Sequence, residues 1–386
     1  MLYLAILSIF ATQDGSPQSE TGIVVTGQSI ASTRRLLEEC LTRSCSVEED
    51  GRAALAHAEN QFVSGQYRDA LKTIGSALGR NRRHARDFPV VVSDLSRARA
   101  RVAAHLGLES LERSDWINTL SALRSGLPDN DPKVIGALVE LGDFNARSGD
   151  VRGARERYTQ ALRIATNTKL EDFEGLALLR LANLYLAASS RDQSYRSQAD
   201  RSLADIATST KPGHLPYAKA ARILIALDAS RSGNDSEIDK LIEEIRSLGG
   251  TARPVLIHAP AIDLSSLTSQ NFSRRTRSTA ISNFDDQWID VSFRVTSSGK
   301  VTDIEILRKG ENTSDTWIGP VRDAIAARRY APMNYDDLDP GIFRVERFTL
   351  TSRWSTGSGS RIRARDGQPR IETLDLSIDR PSDSES

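Results

Sequence analysis

Residues 288–310 read WIDVSFRVTSSGKVTDIEILRKG, and residues 320–332 read PVRDAIAARRYAP. Ile289, Val291, Phe293 and Val295 alternate with Asp290, Ser292 and Arg294, the period of two that marks a half-buried strand. Ser297, Ser298 and Gly299 supply a turn in which glycine is free to take positive φ. A second strand follows, with Ile304 and Ile306 on one face. Beyond it, Ala324, Ile325, Ala327 and Arg328 fall at helical spacing, and Pro332 is placed to stop that helix. A last extended run, FRVERFTLTSRW from Phe343 to Trp354, can return to the sheet. The order strand–turn–strand–helix–strand predicts a small α+β domain.

That order resembles the C-terminal domain of the TonB family, in which a V-x-F-x-V-x-x-x-G-x-V hairpin precedes a helix ending in R-[FY]-x-P. The matching residues are Val291, Phe293, Val295, Gly299, Val301, Arg329, Tyr330 and Pro332, and the resemblance spans residues 254–354. It implies a sheet whose last strand, here Phe343 to Leu350, is an edge open to a partner's strand. Main-chain hydrogen bonds would then give affinity and alternate side chains would set register. Arg344, Glu346, Phe348 and Leu350 are the residues expected to meet that partner.

Upstream, residues 46–250 hold no convincing strand but do hold self-similar helix pairs. In residues 51–78, Ala54, Phe62, Gly65, Tyr67, Ala70, Ala77 and Leu78 set a pattern. Residues 134–164 repeat it with Leu138, Leu141, Gly142, Gly149, Ala154, Tyr158, Ala161 and Leu162. Both segments resemble the tetratricopeptide repeat, whose period is about 34 residues. Residues 88–126 form one more pair with poor consensus. Leu178, Leu181, Ala182 and Tyr185 begin another, with an expanded turn before Ala199 and Leu203, and Ile225, Ala226 and Gly233 precede a last helix carrying Ile238, Ile242 and Ile245. Such units cannot bury their apolar faces alone, so neighbours must stack into a short solenoid. The family's inward positions correspond here to Glu59, Phe62, Asp143, Arg147, Asn183 and Arg231, the residues expected to line a peptide-binding groove or else to be solvated polar positions. The basic run Arg80 to Arg86 reads as a solvated inter-repeat loop, since nothing aromatic is interleaved with it to favour nucleic acid.

The ends of the chain add location. Leu2 to Ala11 is an apolar run shorter than the roughly 20 residues of a membrane span and within the roughly 7–15 of a secretory core. Residues 1–11 are therefore expected to be an export signal, although no basic segment precedes the run. Residues 12–31 read as a flexible segment around Ile23, Val24, Val25 and Thr26, β-preferring residues between glycines. These resemble the TonB box, the receptor segment that pairs with TonB. Docking on this chain's own sheet, docking on a partner's sheet and opening the first helix are all compatible with it. Cys40 ends one helical pattern and Cys45 precedes Ser46-Val47-Glu48-Glu49, a capping box. Across a helix–helix turn the two thiols can reach each other. A disulfide in an oxidising compartment is expected, with two buried free thiols as the alternative. Residues 355–386 read as a flexible tail, within which residues 361–378 could form a hairpin about Asp366-Gly367.

Lysine plus arginine balances aspartate plus glutamate at 51 each, so no global charge draws the chain to nucleic acid or anionic lipid. The five histidines are scattered and the cysteines are two, which argues against a metal site. No nucleophile elbow, phosphate loop or zinc-protease motif occurs. The expected protein is mainly α with a small α+β domain: a helical solenoid over residues 32–250 followed by the TonB-C-like unit over residues 254–354. The expected function is that of a periplasmic, non-catalytic, cofactor-free adaptor between proteins, linked by resemblance to TonB-dependent outer-membrane transport. An inner-membrane energy transducer and a structural envelope protein are the alternatives.

Overall fold

The computed structural model describes residues 29–231, 236–247, 251, 254–269, 278–279, 284–334, 341–356 and 363–377. The expected signal peptide and the segment Ile23 to Thr26 lie outside these residues. The helical part opens with α1 (Ile30–Thr42), whose first turn includes residues expected in the flexible segment. Helix pairs follow: α2 (Val47–Val63) with α3 (Tyr67–Asn81), α4 (Pro89–His105) with α5 (Glu109–Gly126), and α6 (Pro132–Arg147) with α7 (Val151–Thr168). The last two pairs are α8 (Glu171–Ser189) with α9 (Arg196–Ala207) and α10 (Leu215–Arg231) with α11 (Ser236–Ser247).

The local chemistry explains the boundaries. Ser46 and Glu49 close a reciprocal capping box at the start of α2, with N–H to side-chain distances of 3.3 and 3.1 Å. Pro89 and Pro132 occupy first turns, where a missing N–H costs nothing. Asp131 and Asp150 cap α6 and α7. Within the third pair, Ala154, Tyr158 and Ala161 are fully buried, and a methyl group on Gly142 would meet the Tyr158 ring at 2.5 Å. The small residues of the repeat pattern thus permit the close approach of the paired helices. Cys40 and Cys45 sit at disulfide distance across the α1–α2 turn, their Cα atoms 5.1 Å apart. Arg80 and Asn81, expected in a solvated loop, instead end α3 and bind the buried Asp50 carboxylate.

The remaining elements are β1 (Leu256–His258), β2 (Thr268–Ser269), β3 (Ser278–Thr279), β4 (Trp288–Val295), β5 (Val301–Lys309), α12 (Ile318–Ala326), β6 (Arg329–Tyr330), β7 (Ile342–Thr356) and β8 (Arg363–Asp375). The main sheet is antiparallel in the order β5-β4-β7-β8. The β4–β5 hairpin turns where expected, with Gly299 at φ +78°. Three expectations need correction. The helix ends at Ala326 rather than at Pro332, and Arg329–Tyr330 pair instead with β1. Residues 363–375, assigned to a flexible tail, form β8. A shift of register between Ser352 and Trp354 absorbs Asp366, Gly367 and Gln368, so turn-type residues sit inside a strand pair as a bulge. Because β8 covers it, β7 is an interior strand and not the sheet's edge.

Opposed residues in antiparallel strands share a face. Ile289, Val291, Phe293, Val295, Phe348 and Leu350 therefore lie together and pack with Trp317, Val321 and Ile325 at α12. The opposite face carries Trp288, Asp290, Arg347 and Thr349, and it is turned to the helices. Trp288 belongs to the apolar cluster of the first helix pairs, among Ala54, Tyr67, Ala70 and Leu95. At the other end of the array, Ile257 and Ala331 pack with Ile223, Ala226 and Leu241 of the last pair. The sheet unit thus touches both the first and the last turns of the solenoid.

Candidate protein-interaction site

Arg347 is central to the contact between the two parts. Its side chain is completely buried, and its position on the polar face of β7 points it at the end of α2. Nε and Nη2 hold the two oxygens of Asp290 at 2.6 and 2.9 Å. Nη1 and Nη2 donate to the carbonyls of Phe62 and Val63, each at 2.7 Å. Those carbonyls are among the last of α2, beyond the reach of an intrahelical N–H; that of Phe62 also accepts from Gly65 N–H at 2.9 Å, and a cation there opposes the negative end of the helix dipole. The guanidinium also lies 4.0 Å from the centroid of Trp288. Every charged atom of this buried pair is thereby compensated.

Around it the contact is polar and specific. The Thr349 hydroxyl shares hydrogen bonds with the Tyr67 hydroxyl (3.0 Å) and His105 Nδ1 (2.9 Å). Phe62 packs edge-on against His105, with centroids 4.9 Å apart. Burial holds His105 neutral, its pKa brought down to about 3, with Arg347, Arg370 and Arg147 adding to the effect. Burial likewise raises the Tyr67 pKa. The turns within the first two pairs come equally close. A methyl on Gly65, at φ +81°, would meet the Trp288 indole at 2.5 Å, and one on Gly107, at φ +71°, would strike the Ser352 carbonyl. Trp354 N–H donates to the Gly107 carbonyl at 3.2 Å. Arg370 of β8 donates to the Ala104 carbonyl at 3.1 Å, and Glu372 stands 3.9 Å from Arg147.

Several expected partner-binding residues are consequently engaged within the chain. Phe348 and Leu350 are buried in the sheet's core. Glu346 is held bidentately by Arg328 at 2.8 and 2.9 Å, and Arg344 pairs with Asp375. None of the four forms an edge. Of the groove residues, Phe62 and Arg147 lie at the contact with the sheet. Arg147 is bound by Glu112 at 2.8 Å, and burial raises the Glu112 pKa despite that partner. Asp143 accepts from the Tyr158 hydroxyl at 2.6 Å and pairs with Arg180 at 3.0 Å. Glu59 is exposed on α2 and Asn183 is half-buried on α8; the Arg231 side chain is outside the described residues.

A cavity of about 240 Å³ opens where Tyr67, Arg68 and His105 face Asp285, Gln287 and Arg365. Its main charges are spent on one another, since Asp285 pairs with Arg68 at 2.6 Å and with Arg365 at 3.2 Å. Among the described residues no three His, Cys, Asp or Glu side chains converge to hold a metal ion.

The open surface lies on the opposite edge. Among the described residues β5 pairs with β4 alone, and Ile306 and Leu307 are 36% and 48% exposed. Two register shifts break the β4–β5 ladder, one at Leu307 and one across Asp303 and Ile304. Asp303 stands at φ +51°. Bulges of this kind limit how much of an edge is straight enough to template another strand.

The sequence matches no protein-family model, and no curated protein matches it. Among solved structures, a putative kinesin light chain of Podosopora anserina with nearly identical TPR-like repeats is 18% identical, over 51% of this chain and 93% of that one, at a TM-score of 0.39. BtubC (BKLC) from P. vanneervenii is 16% identical, over 66% of this chain and 97% of that one, at a TM-score of 0.45. The apo form of RapI is 14% identical, over 57% and 58%, at a TM-score of 0.42. Scores this low add nothing to what the helix pairs themselves display.

Proposed function

We propose that this chain is a non-catalytic protein-interaction adaptor of a Gram-negative cell envelope, linked to TonB-dependent outer-membrane transport. Its helix pairs hold one partner and its sheet accepts a strand from another. The observation that carries this reading is the β5 edge, whose outer side pairs with no strand among the described residues and which is fixed to a helical array through the buried Arg347 contact. A strand added there gains main-chain hydrogen bonds without displacing packed side chains. Of the eight residues that carry the resemblance to the TonB family, Val291, Phe293, Val295, Gly299 and Val301 lie in the β4–β5 hairpin that forms this edge. The Cys40–Cys45 pair supports an oxidising compartment such as the periplasm. Glu59 and Asn183 remain positions from which a partner of the helices can be read.

Disulfide trapping tests the reading. The full chain carrying Glu305→Cys is mixed with a cysteine-bearing peptide copying residues 20–28, and Thr373→Cys on the exposed side of β8 serves as the control. Cross-linking at position 305 but not at 373 is the expected result. No cross-linking at position 305, or equal yields at both positions, refutes strand addition at β5. Sequencing the mature N-terminus from a fractionated Gram-negative host tests the envelope assignment.

A further inference from the structure

Resting on that reading of β5 as the strand-accepting edge, we propose that its occupant in the isolated protein is β5 of a second copy, paired antiparallel about a two-fold axis between Ile306 and Leu307. The order of side chains along the strand carries the argument. Asp303 and Glu305 precede Ile306 and Leu307, and Arg308 and Lys309 follow. Charges on an edge ordinarily keep copies apart, because like signs meet. Here acid occupies one half of the strand and base the other, so a two-fold antiparallel pairing brings unlike halves together twice. The register follows from the faces. Glu305 lies opposite Ser292 and Arg308 opposite Asp290, so with Leu307 as the extra residue of the bulge both side chains stand on the helix-facing side. About the proposed axis, Glu305 of each copy meets Arg308 of the other, and Ile306 meets Leu307. Unlike charges and aliphatic side chains set opposite one another are the pairs that stabilise an antiparallel ladder.

The side chains concerned are free to take part. Glu305 is exposed and enters no ion pair among the described residues. Arg308 spends Nε and Nη2 on Asp290 yet stays 51% exposed, and Lys309 is half exposed beside Asp315. Asp303 is paired within the chain, with Arg294 at 3.5 Å, so the contact rests on Glu305. Ile306 and Leu307 are the aliphatic pair left in water at the centre of the strand, and a second copy withdraws them from it. The contact uses the β5 edge of both copies and leaves none to extend, while β8 at the sheet's other end lies against β2 and β3. Association therefore stops at two. The bulges keep the regular part of β5 short, which makes the pairing reversible and leaves an external strand able to compete with it.

Sedimentation of the full chain and its Glu305→Lys variant, each over a hundredfold range of concentration, tests the pairing. The substitution sets two cations against each other across the axis. The parent chain is expected to pass from one copy to two as it is concentrated, and less readily in high salt, which screens the exposed charges. The variant is expected to associate at least tenfold more weakly while melting at the parent's temperature. Amide hydrogen exchange of the parent is expected to slow with concentration at residues 301–309. A parent that stays single throughout, or that pairs without protecting residues 301–309, overturns the two-fold contact. Association undiminished by Glu305→Lys overturns it as well, since the register then does not rest on charge. Capture of the peptide at Glu305→Cys is read separately. Single copies that still capture it lose the dimer and keep the external strand; a dimer protected at β5 that never yields to the peptide keeps the dimer and removes the external strand.

Discussion

Arg347 and Asp290 form a bidentate ion pair, 2.6 Å at its shorter arm, in which both side chains are at most 1% exposed. Neither charge reaches water, and the arginine's other donors are spent on main-chain carbonyls of α2. Removing one partner strands the other. Arg347→Ala is expected to destabilise the protein by about 3–5 kcal/mol, because Asp290 is left buried with only Arg308 to offset it. Replacing both with apolar residues of similar volume should cost much less than the sum of the single changes. Urea denaturation of the two single variants and the double variant checks this, and additive costs would show that the pair is not coupled.

Gly107→Ala and Gly149→Ala separate docking from backbone strain. Both glycines sit at positive φ, +71° and +83°, in corresponding turns, but nothing lies within 4 Å of a methyl at 149, whereas one at 107 strikes the Ser352 carbonyl. Each change costs about 1–2 kcal/mol for the left-handed backbone. Gly107→Ala should cost a further 1–3 kcal/mol or so as overpacking, and it should loosen the sheet from the helices. Thermal denaturation, with limited proteolysis of the sheet unit, measures both effects; equal behaviour of the two variants would contradict the interface.

His105 gives the contact a pH dependence of definite sign. Its folded pKa is depressed from 6.5 to about 3, so across that window the unfolded chain binds more protons than the folded one. Stability is then complete above about pH 6.5 and falls as the solution is acidified, with a slope of at most about 1.4 kcal/mol per pH unit. Glu112, raised by burial, acts in the opposite sense, so the informative quantity is the difference from His105→Gln. Stability measured between pH 4 and 7 should slope less steeply in that variant, and parallel curves would exclude the histidine as the cause.

The Cys40–Cys45 bridge closes a short loop, for which the loss of chain entropy in the unfolded state predicts about 2 kcal/mol. Cys40→Ser with Cys45→Ser should lower stability by that amount. The extra hydrogen exchange should be confined to α1 and the start of α2. Exchange spread evenly over the array would point to a wider role.

Much of this architecture was legible because it follows from local periodicity. The apolar side of β4, the Gly299 turn and the small residues packed around Tyr158 are all nearest-neighbour requirements. What escaped was set by contacts far apart in sequence. Arg347, Thr349 and Thr351 look like the solvated face of an edge strand, and Asp290 like its polar neighbour. They are buried because helices more than 240 residues upstream cover them, as the 244-residue separation of His105 and Thr349 illustrates. Glu346 and Arg344 lie on the sheet's other face and are taken up by Arg328, just after α12, and by Asp375 of β8. β8 was hidden for a local reason, since Asp366 and Gly367 carry turn chemistry that a bulge has absorbed. The only warning in the sequence was the density of arginines between residues 344 and 370, more than a free edge or a tail requires.

In a simple solenoid each repeat consults only its neighbours, so an end can fray while the middle stays folded. Here Trp288 is packed into the first turns and Ile257 and Ala331 into the last. Loss of either end therefore also uncovers the sheet that grips the other. The one-dimensional array becomes a closed circuit, and its melting should be a single event in place of a wave travelling inward from the ends.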